Sequence, residues 1–296
     1  MPAEPADLAA DTAVRPDPGT PGRYLLELPD HWDFLMPSGG VLMTCALRAA
    51  AAELGDPTLR LGSASTIFCA PIPFGGLVID VRVLRRGAAT AQVRVALRHG
   101  AAPEREAGLE VLATFTRARA GADVLGVAMP TVRSVADALP VDDPAPANPH
   151  LRFRFHHQLE ERIADGEPTW HPDRVAGPAR FARWLRYRVP QRDDAGRLDR
   201  LALPPIVDLM PSSLHRAVGP DYRFYAPSLD LTTYVIDDTA REWLLMAVTT
   251  KRAKDGWAIG DVDVWDDEGR YLAHGSQGMY LRTVAGVPPV IDASRR

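Results

Sequence analysis

The run at 36–54, MPSGGVLMTCALRAAAAEL, constrains this chain more than any other stretch. Between Gly40 and Leu54 its only polar residues are Thr44, Arg48 and Glu53, so most of the circumference of a helix built here must be covered. It is too short for the roughly 18 or more apolar residues of a membrane span. A helix of this kind, set among antiparallel strands, is best accommodated by a curved sheet that wraps it. At its start Ser38 can cap, and Gly39 and Gly40 leave the first backbone N–H groups open. Neither the G-x-G-x-x-G nor the G-x-x-x-x-G-K-[ST] pattern is present, so a nucleotide-phosphate cradle is not expected. Two uses of the glycine pair stay open: close packing at a capped helix start, or contact with a ligand carbonyl.

Strand-like alternation surrounds this helix. Arg23–Leu28 precedes it, and 63–69, 77–84, 90–97 and 108–116 follow it, separated by glycine-containing turns, as in an antiparallel meander with one covered face. The composition then shifts to Ala, Pro and Asp and ends in VDDPAPANPH, a connector with room for one short helix. Thereafter the pattern begins again: strand-like 150–159 and 180–188, the apolar segment LALPPIVDLMPSSLHRAVGP, and four more β-like runs. A constant shift of 165 residues lays one half on the other, placing Ser63 on Ser228, Val78 on Trp243 and Gly39–Gly40 on Pro204–Pro205. The expected organisation is a loose tail at 1–22, one unit at 23–120, a linker at 121–149, a second unit at 150–285 and a tail at 286–296. The fold class is α+β.

A net charge of −4 gives no general attraction to nucleic acid or to an anionic membrane. Cys45 and Cys69 are too few for a disulfide framework or a thiol-built zinc site, and a reducing cytoplasm is the simplest compartment. The acidic, proline-containing N-terminus lacks the basic start and apolar run of a secretory signal. No metal or cofactor is called for. His156 and His157 fall on opposite faces of the expected strand and so suit no common metal. Asn148-Pro-His150 is treated as turn chemistry.

HWDFLMPSGG before the buried helix, VLRRG after a strand, then PPIVDLMPSS, SLDLTTYV, EWLL, VWDDEGRYLA and SQGMYLR together resemble the double-hotdog acyl-CoA thioesterases, the thioesterase-II-like group. The resemblance spans roughly 23–283, with the order of all segments kept. It implies two tandem hotdog units, each an antiparallel sheet around a central helix, acting on acyl-CoA or another acyl thioester, with further association into a homo-oligomer an option. It also implies a hydrolytic trio, which falls here on Asp208, Ser228 and Gln277. Asp208 would be the base or water anchor, with the other two positioning it. From the residues alone, Asp208 between Pro205 and Pro211 fits a helix cap equally well, and Asp230 shares a strand face with Ser228 as a rival carboxylate. Gly39, Gly40, Arg85 and Arg86 are the candidate substrate contacts, the arginines for coenzyme A phosphates. Where the family often has an Arg-Ser pair after VLRRG, this chain has Ala88-Ala89. Met43 stands where the shift would put the aspartate, so one active site per chain is expected. Two other activities fit the same fold: tailoring of a thioester or polyketide-like chain, and non-catalytic acyl binding.

Overall fold

The computed structural model describes residues 4–141, 153–171, 173–220 and 222–283. Its first half runs α1 (Leu8–Asp11), β1 (Arg15–Pro16), β2 (Arg23–Leu28), α2 (Gly39–Leu54), β3 (Arg60–Phe68), β4 (Gly75–Arg86), β5 (Thr90–His99) and β6 (Leu109–Thr116). The second runs β7 (Leu139–Pro140), α3 (Arg154–His157), β8 (Leu159–Asp165), β9 (Arg180–Tyr187), α4 (Pro204–Val207), α5 (Pro211–Val218), β10 (Phe224–Tyr225), β11 (Asp230–Val235), β12 (Leu244–Lys254), β13 (Trp257–Asp266), β14 (Tyr271–Tyr280) and β15 (Arg282–Thr283).

Helix α2 is covered on nearly every side: Val41, Met43, Cys45, Ala46, Leu47, Ala49 and Ala50 are fully buried. It ends at Gly55, whose φ of 57° is the left-handed conformation that a glycine adopts without a Cβ penalty. The corresponding helix of the second half is broken. Pro204 and Pro205 start α4 where the missing N–H groups cost nothing, but Pro211 has no N–H and its ring crowds the carbonyl four residues back, so the helix stops and restarts as α5. Asp208 sits at that break.

One sheet of thirteen strands carries both halves in the order β1-β2-β4-β5-β6-β3-β11-β14-β13-β12-β9-β8-β7. Each half forms a hotdog unit, and β3 pairs with β11 at the seam, with Ser65 opposite Thr232 and Ile67 opposite Asp230. Moving each residue by 165 carries the first of these pairs onto the second, so a local two-fold axis runs through the Thr66–Leu231 pair. The repeat seen in the sequence is thus also a register.

Three segments differ from the sequence expectation. The described part of the expected loose tail packs against both units: Asp7 caps α1, Leu8 is fully buried, Asp11 accepts a hydrogen bond from the Trp32 indole N–H at 2.8 Å, and the Ala6 and Ala9 N–H groups donate to Gln158 and Gln191 of the second unit. The connector, described to residue 141, forms no helix; it straps the outer face of the second unit, where Met129, Val132, Val135 and Ala138 cover Trp184, Leu245 and Trp265. The strand expected at 150–159 is instead α3 followed by β8. Phe153 and Phe155 alternate as strand residues would, but here both pack on Phe34, at 5.0 and 5.9 Å between ring centroids. Residues 142–149, Asn148-Pro-His150 and 286–296 lie outside the described residues.

Candidate active site

Asp208, Ser228 and Gln277 meet. The break after α4 presents the Asp208 carboxylate, a bridge to Met279 at the entry to β11 holds Ser228, and inward-facing Gln277 comes from β14. Asp208 Oδ1 accepts from Ser228 Oγ at 3.1 Å and from Gln277 Nε2 at 2.6 Å. Gln277 Nε2 also donates to Ser228 Oγ at 2.6 Å. Both amide hydrogens are thereby used, and the buried Gln277 Oε1 faces no protein donor.

The other carboxylate oxygen is held by the first unit. Asp208 Oδ2 accepts from the Gly40 backbone N–H at 2.9 Å and from Ser38 Oγ at 3.3 Å. Ser38 occupies the N-cap position but makes no side-chain bond to its own helix; its hydroxyl is spent on Asp208. The glycine pair makes the approach possible. A Cβ on Gly40 would lie 2.4 Å from the Pro204 carbonyl oxygen, and one on Gly39 would lie 2.8 Å from the Phe68 ring. Burial pushes the Asp208 carboxyl above the usual aspartate range, and the bonds from Gly40, Gln277, Ser228 and Ser38 pull against it. The result is a carboxylate at a helix N-terminus with a raised proton affinity, the pattern of a general base.

Other candidates separate from this cluster. Asp230 turns to the outer face, where it accepts from the Gly278 N–H at 3.0 Å, because the irregular step at Leu229 breaks the alternation that would have put it beside Ser228. Arg85 and Arg86 lie at the end of β4, and Arg86 approaches Asp56, just past the C-terminus of α2. The site is at the N-terminus of the 16-residue α2, about 24 Å away along the helix axis, so these arginines do not join it. His156 and His157 are on α3 rather than on a strand. His156 Nδ1 pairs with buried Glu161, whose carboxyl burial alone would raise but which His156 and Arg183 hold down to about 2. No grouping of three or more metal-ligating side chains occurs among the described residues. Sequence reasoning missed that Ser38 and Gly40 ligate Asp208. The available signal was a Ser-Gly-Gly helix start lying 165 residues from a Pro-Pro start.

A family model for the N-terminal domain of acyl-CoA thioesterases matches residues 28–118, and one for the C-terminal domain matches residues 135–281. The chain belongs to the acyl-CoA thioesterase family. Membership makes it a thioester hydrolase with two hotdog units, in agreement with the sheet and the local two-fold axis. Among solved structures, this thioesterase resembles an acyl-CoA thioesterase II from Mycobacterium marinum with 20% identity and a TM-score of 0.71, over 95% of this chain and all (100%) of that one. A candidate thioesterase from Novosphingobium aromaticivorans has 25% identity and a TM-score of 0.73, over 91% and 98% of the two chains. A hot dog protein of unknown function from Alicyclobacillus acidocaldarius has 19% identity and a TM-score of 0.75, over 93% and 97%. No curated protein matches the sequence.

Proposed function

We propose that the enzyme hydrolyses acyl-CoA at the Asp208–Ser228–Gln277 cluster, with Asp208 as general base. The carrying observation is that one carboxylate gathers four donors from both units while its proton affinity stays raised. A thioester carbonyl is already activated, so the protein's task is to orient a water, accept its proton and stabilise the oxyanion. The four donors fill the lone-pair sites of Asp208, so the water enters by displacing the Ser228 hydroxyl, the longer of the two Oδ1 bonds at 3.1 Å, and then donates to Asp208 Oδ1. Gln277 Oε1 supplies an acceptor for its other hydrogen. The Gly39 N–H, at the first position of α2 where the helix itself supplies no acceptor, is the donor we assign to the substrate carbonyl. Water oxygen bonds to the acyl carbon as its proton passes to Asp208. The C–S bond of the tetrahedral intermediate then breaks, and the sulfur leaves as thiolate, needing little acid assistance because thiol pKa values lie near about 8.5.

The test is release of free thiol from short, medium, long and aryl acyl-CoAs. Asp208→Asn keeps the shape but removes the base and turns one acceptor oxygen into an NH2 that faces two of the four donors, and should lower kcat by a factor of about 10² to 10⁴. Undiminished release by Asp208→Asn, or none by the wild type on any acyl-CoA, overturns the assignment.

A further inference from the structure

Asp230 lies two residues from Ser228 and yet on the opposite face of the sheet. The ladder shows how. Thr232 lies opposite Ser276 and Ser228 bridges to Met279, so three residues on one side, Leu229, Asp230 and Leu231, face two on the other, Gln277 and Gly278. This is a β-bulge, which inserts one residue and re-aims a side chain. It reverses the alternation between Ser228 and Asp230 and turns the Ser228 hydroxyl inward to Asp208.

The first unit has no bulge at this place. By the shift of 165, Ser228, Thr232, Ser276 and Met279 fall on Ser63, Ile67, Val111 and Thr114. There Ser63 pairs with Thr114 and Ile67 with Glu110, three residues against three, in unbroken register. Ala64 and Thr66 are buried, so Ser63 and Ser65 face outward together. The extra residue belongs to the copy that carries the Asp208 cluster.

A side chain holds the bulge in place. The Gly278 N–H, the amide of the peptide that follows Gln277, donates to Asp230 Oδ1 at 3.0 Å, and the Leu229 N–H donates to the Gly278 carbonyl at 2.9 Å. An amide bonded to a carboxylate is stronger than an amide bonded to a neutral carbonyl. The approach requires glycine at 278, because a Cβ there would lie 2.5 Å from Asp230 Oδ2 and 2.8 Å from the Trp257 ring. At the matching positions the first unit has Ser65, which carries no carboxylate, and Ala113, which carries a Cβ.

We propose that Asp230 is a positioning residue of the active site: by taking the amide behind Gln277 it pins the bulge and holds Ser228 and Gln277 against Asp208. Its catalytic consequence rests on the thioesterase reading above. Asp230 faces away from the cluster and acts through the two donors.

The test sets Asp230→Ala beside Asp230→Asn, whose Oδ1 can still accept from the Gly278 N–H. In Asp230→Ala, kcat for thiol release from acyl-CoA should fall by about 10-fold to 100-fold with KM changed far less, since a misplacement of about 1 Å is enough for such a loss. Asp230→Asn should stay within about 3-fold of the wild type, because the bond is weakened rather than lost. Gly278→Ala pushes the carboxylate away from the other side and should resemble Asp230→Ala; if Asp230→Ala does not fold, it carries the same comparison. Because Ser228 and Gln277 favour the Asp208 anion, the pH limb of kcat/KM should move upward in Asp230→Ala and Gly278→Ala and not in Asp230→Asn. A loss of stability alone would leave the limb in place. Equal losses in the Asn and Ala variants, or an unchanged kcat and limb in Asp230→Ala, overturn the positioning role. Crystal structures of the variants read the clamp without turnover. If the wild type cleaves no acyl-CoA, yet Ser228 leaves Asp208 in Asp230→Ala and stays in Asp230→Asn, hydrolysis falls and the positioning stands. If the wild type cleaves acyl-CoA, Asp208→Asn does not, and Asp230→Ala keeps both kcat and the place of Ser228, the positioning falls and hydrolysis stands.

Discussion

The two helix starts that meet at the local two-fold axis occupy the same place in the fold and do opposite things. At the start of α2, Gly39 and Gly40 carry N–H groups and no side chain, so a neighbouring carboxylate can reach the backbone. At the start of α4, Pro204 and Pro205 have no N–H to offer. Conversely, α4 breaks and presents Asp208, whereas α2 runs on and buries Met43 at the matching position. The surroundings diverge too. Where the first half places exposed Leu35, the shift of 165 places Arg200, whose guanidinium donates to Asp238 at 2.8 Å and to the Leu61 carbonyl at 2.8 Å; Arg60 adds a further pair to Asp238. A duplicated unit can specialise each copy: here one helix start donates and the other presents a carboxylate, and the place equivalent to the turn before Ser38 is taken by ion pairs to Asp238.

Copying the carboxylate alone should therefore fail. Met43→Asp buries a charge opposite prolines that cannot donate, and should destabilise the protein by about 3–5 kcal/mol in chemical denaturation while adding no thiol release. Gly40→Ala attacks the donor side: with 2.4 Å available to the Pro204 carbonyl oxygen, the helices must part. We expect a loss of about 1–3 kcal/mol together with most of the activity, and a melting curve beside an assay distinguishes this from loss of a base alone.

A smaller effect is readable in pH. Because burial raises the Asp208 carboxyl and the anion is the working form, kcat/KM should climb with pH through a limb above the ordinary aspartate value of about 3.9. The same shift means that ionising Asp208 costs the folded state stability as pH rises through that limb. Ser38→Ala removes one of the bonds that favour the anion and should move the limb to higher pH; a limb that stays put would assign the proton to another group. Smallest of all, Arg85→Ala/Arg86→Ala should change KM by no more than about 2-fold, since exposed charges remote from a site rarely matter. A larger change would bring the far end of α2 into substrate binding.

Much of this was legible before any coordinates. The apolar circumference of 40–54 called for a wrapping sheet, the alternation of 63–116 supplied its strands, and the shift of 165 identified the second unit. The trio came from resemblance rather than from pattern, since an aspartate between prolines looks like a cap. Illegible were the aromatic packing that turned 154–157 into a helix, the strap over the outer face, and the outward turn of Asp230 at Leu229. Each depends on partners far away in the sequence, which local periodicity does not register.

The sequence by itself determined the two helices, their sheets and the residue types available for hydrolysis, because hydrophobic period and proline chemistry act within a few residues. Only the tertiary structure decided that Ser38 and Gly40 belong to the same carboxylate as Ser228 and Gln277. That contact spans 168 residues between Gly40 and Asp208, and it exists because a side-chain-free helix start lets two backbones come close enough for an N–H to reach across.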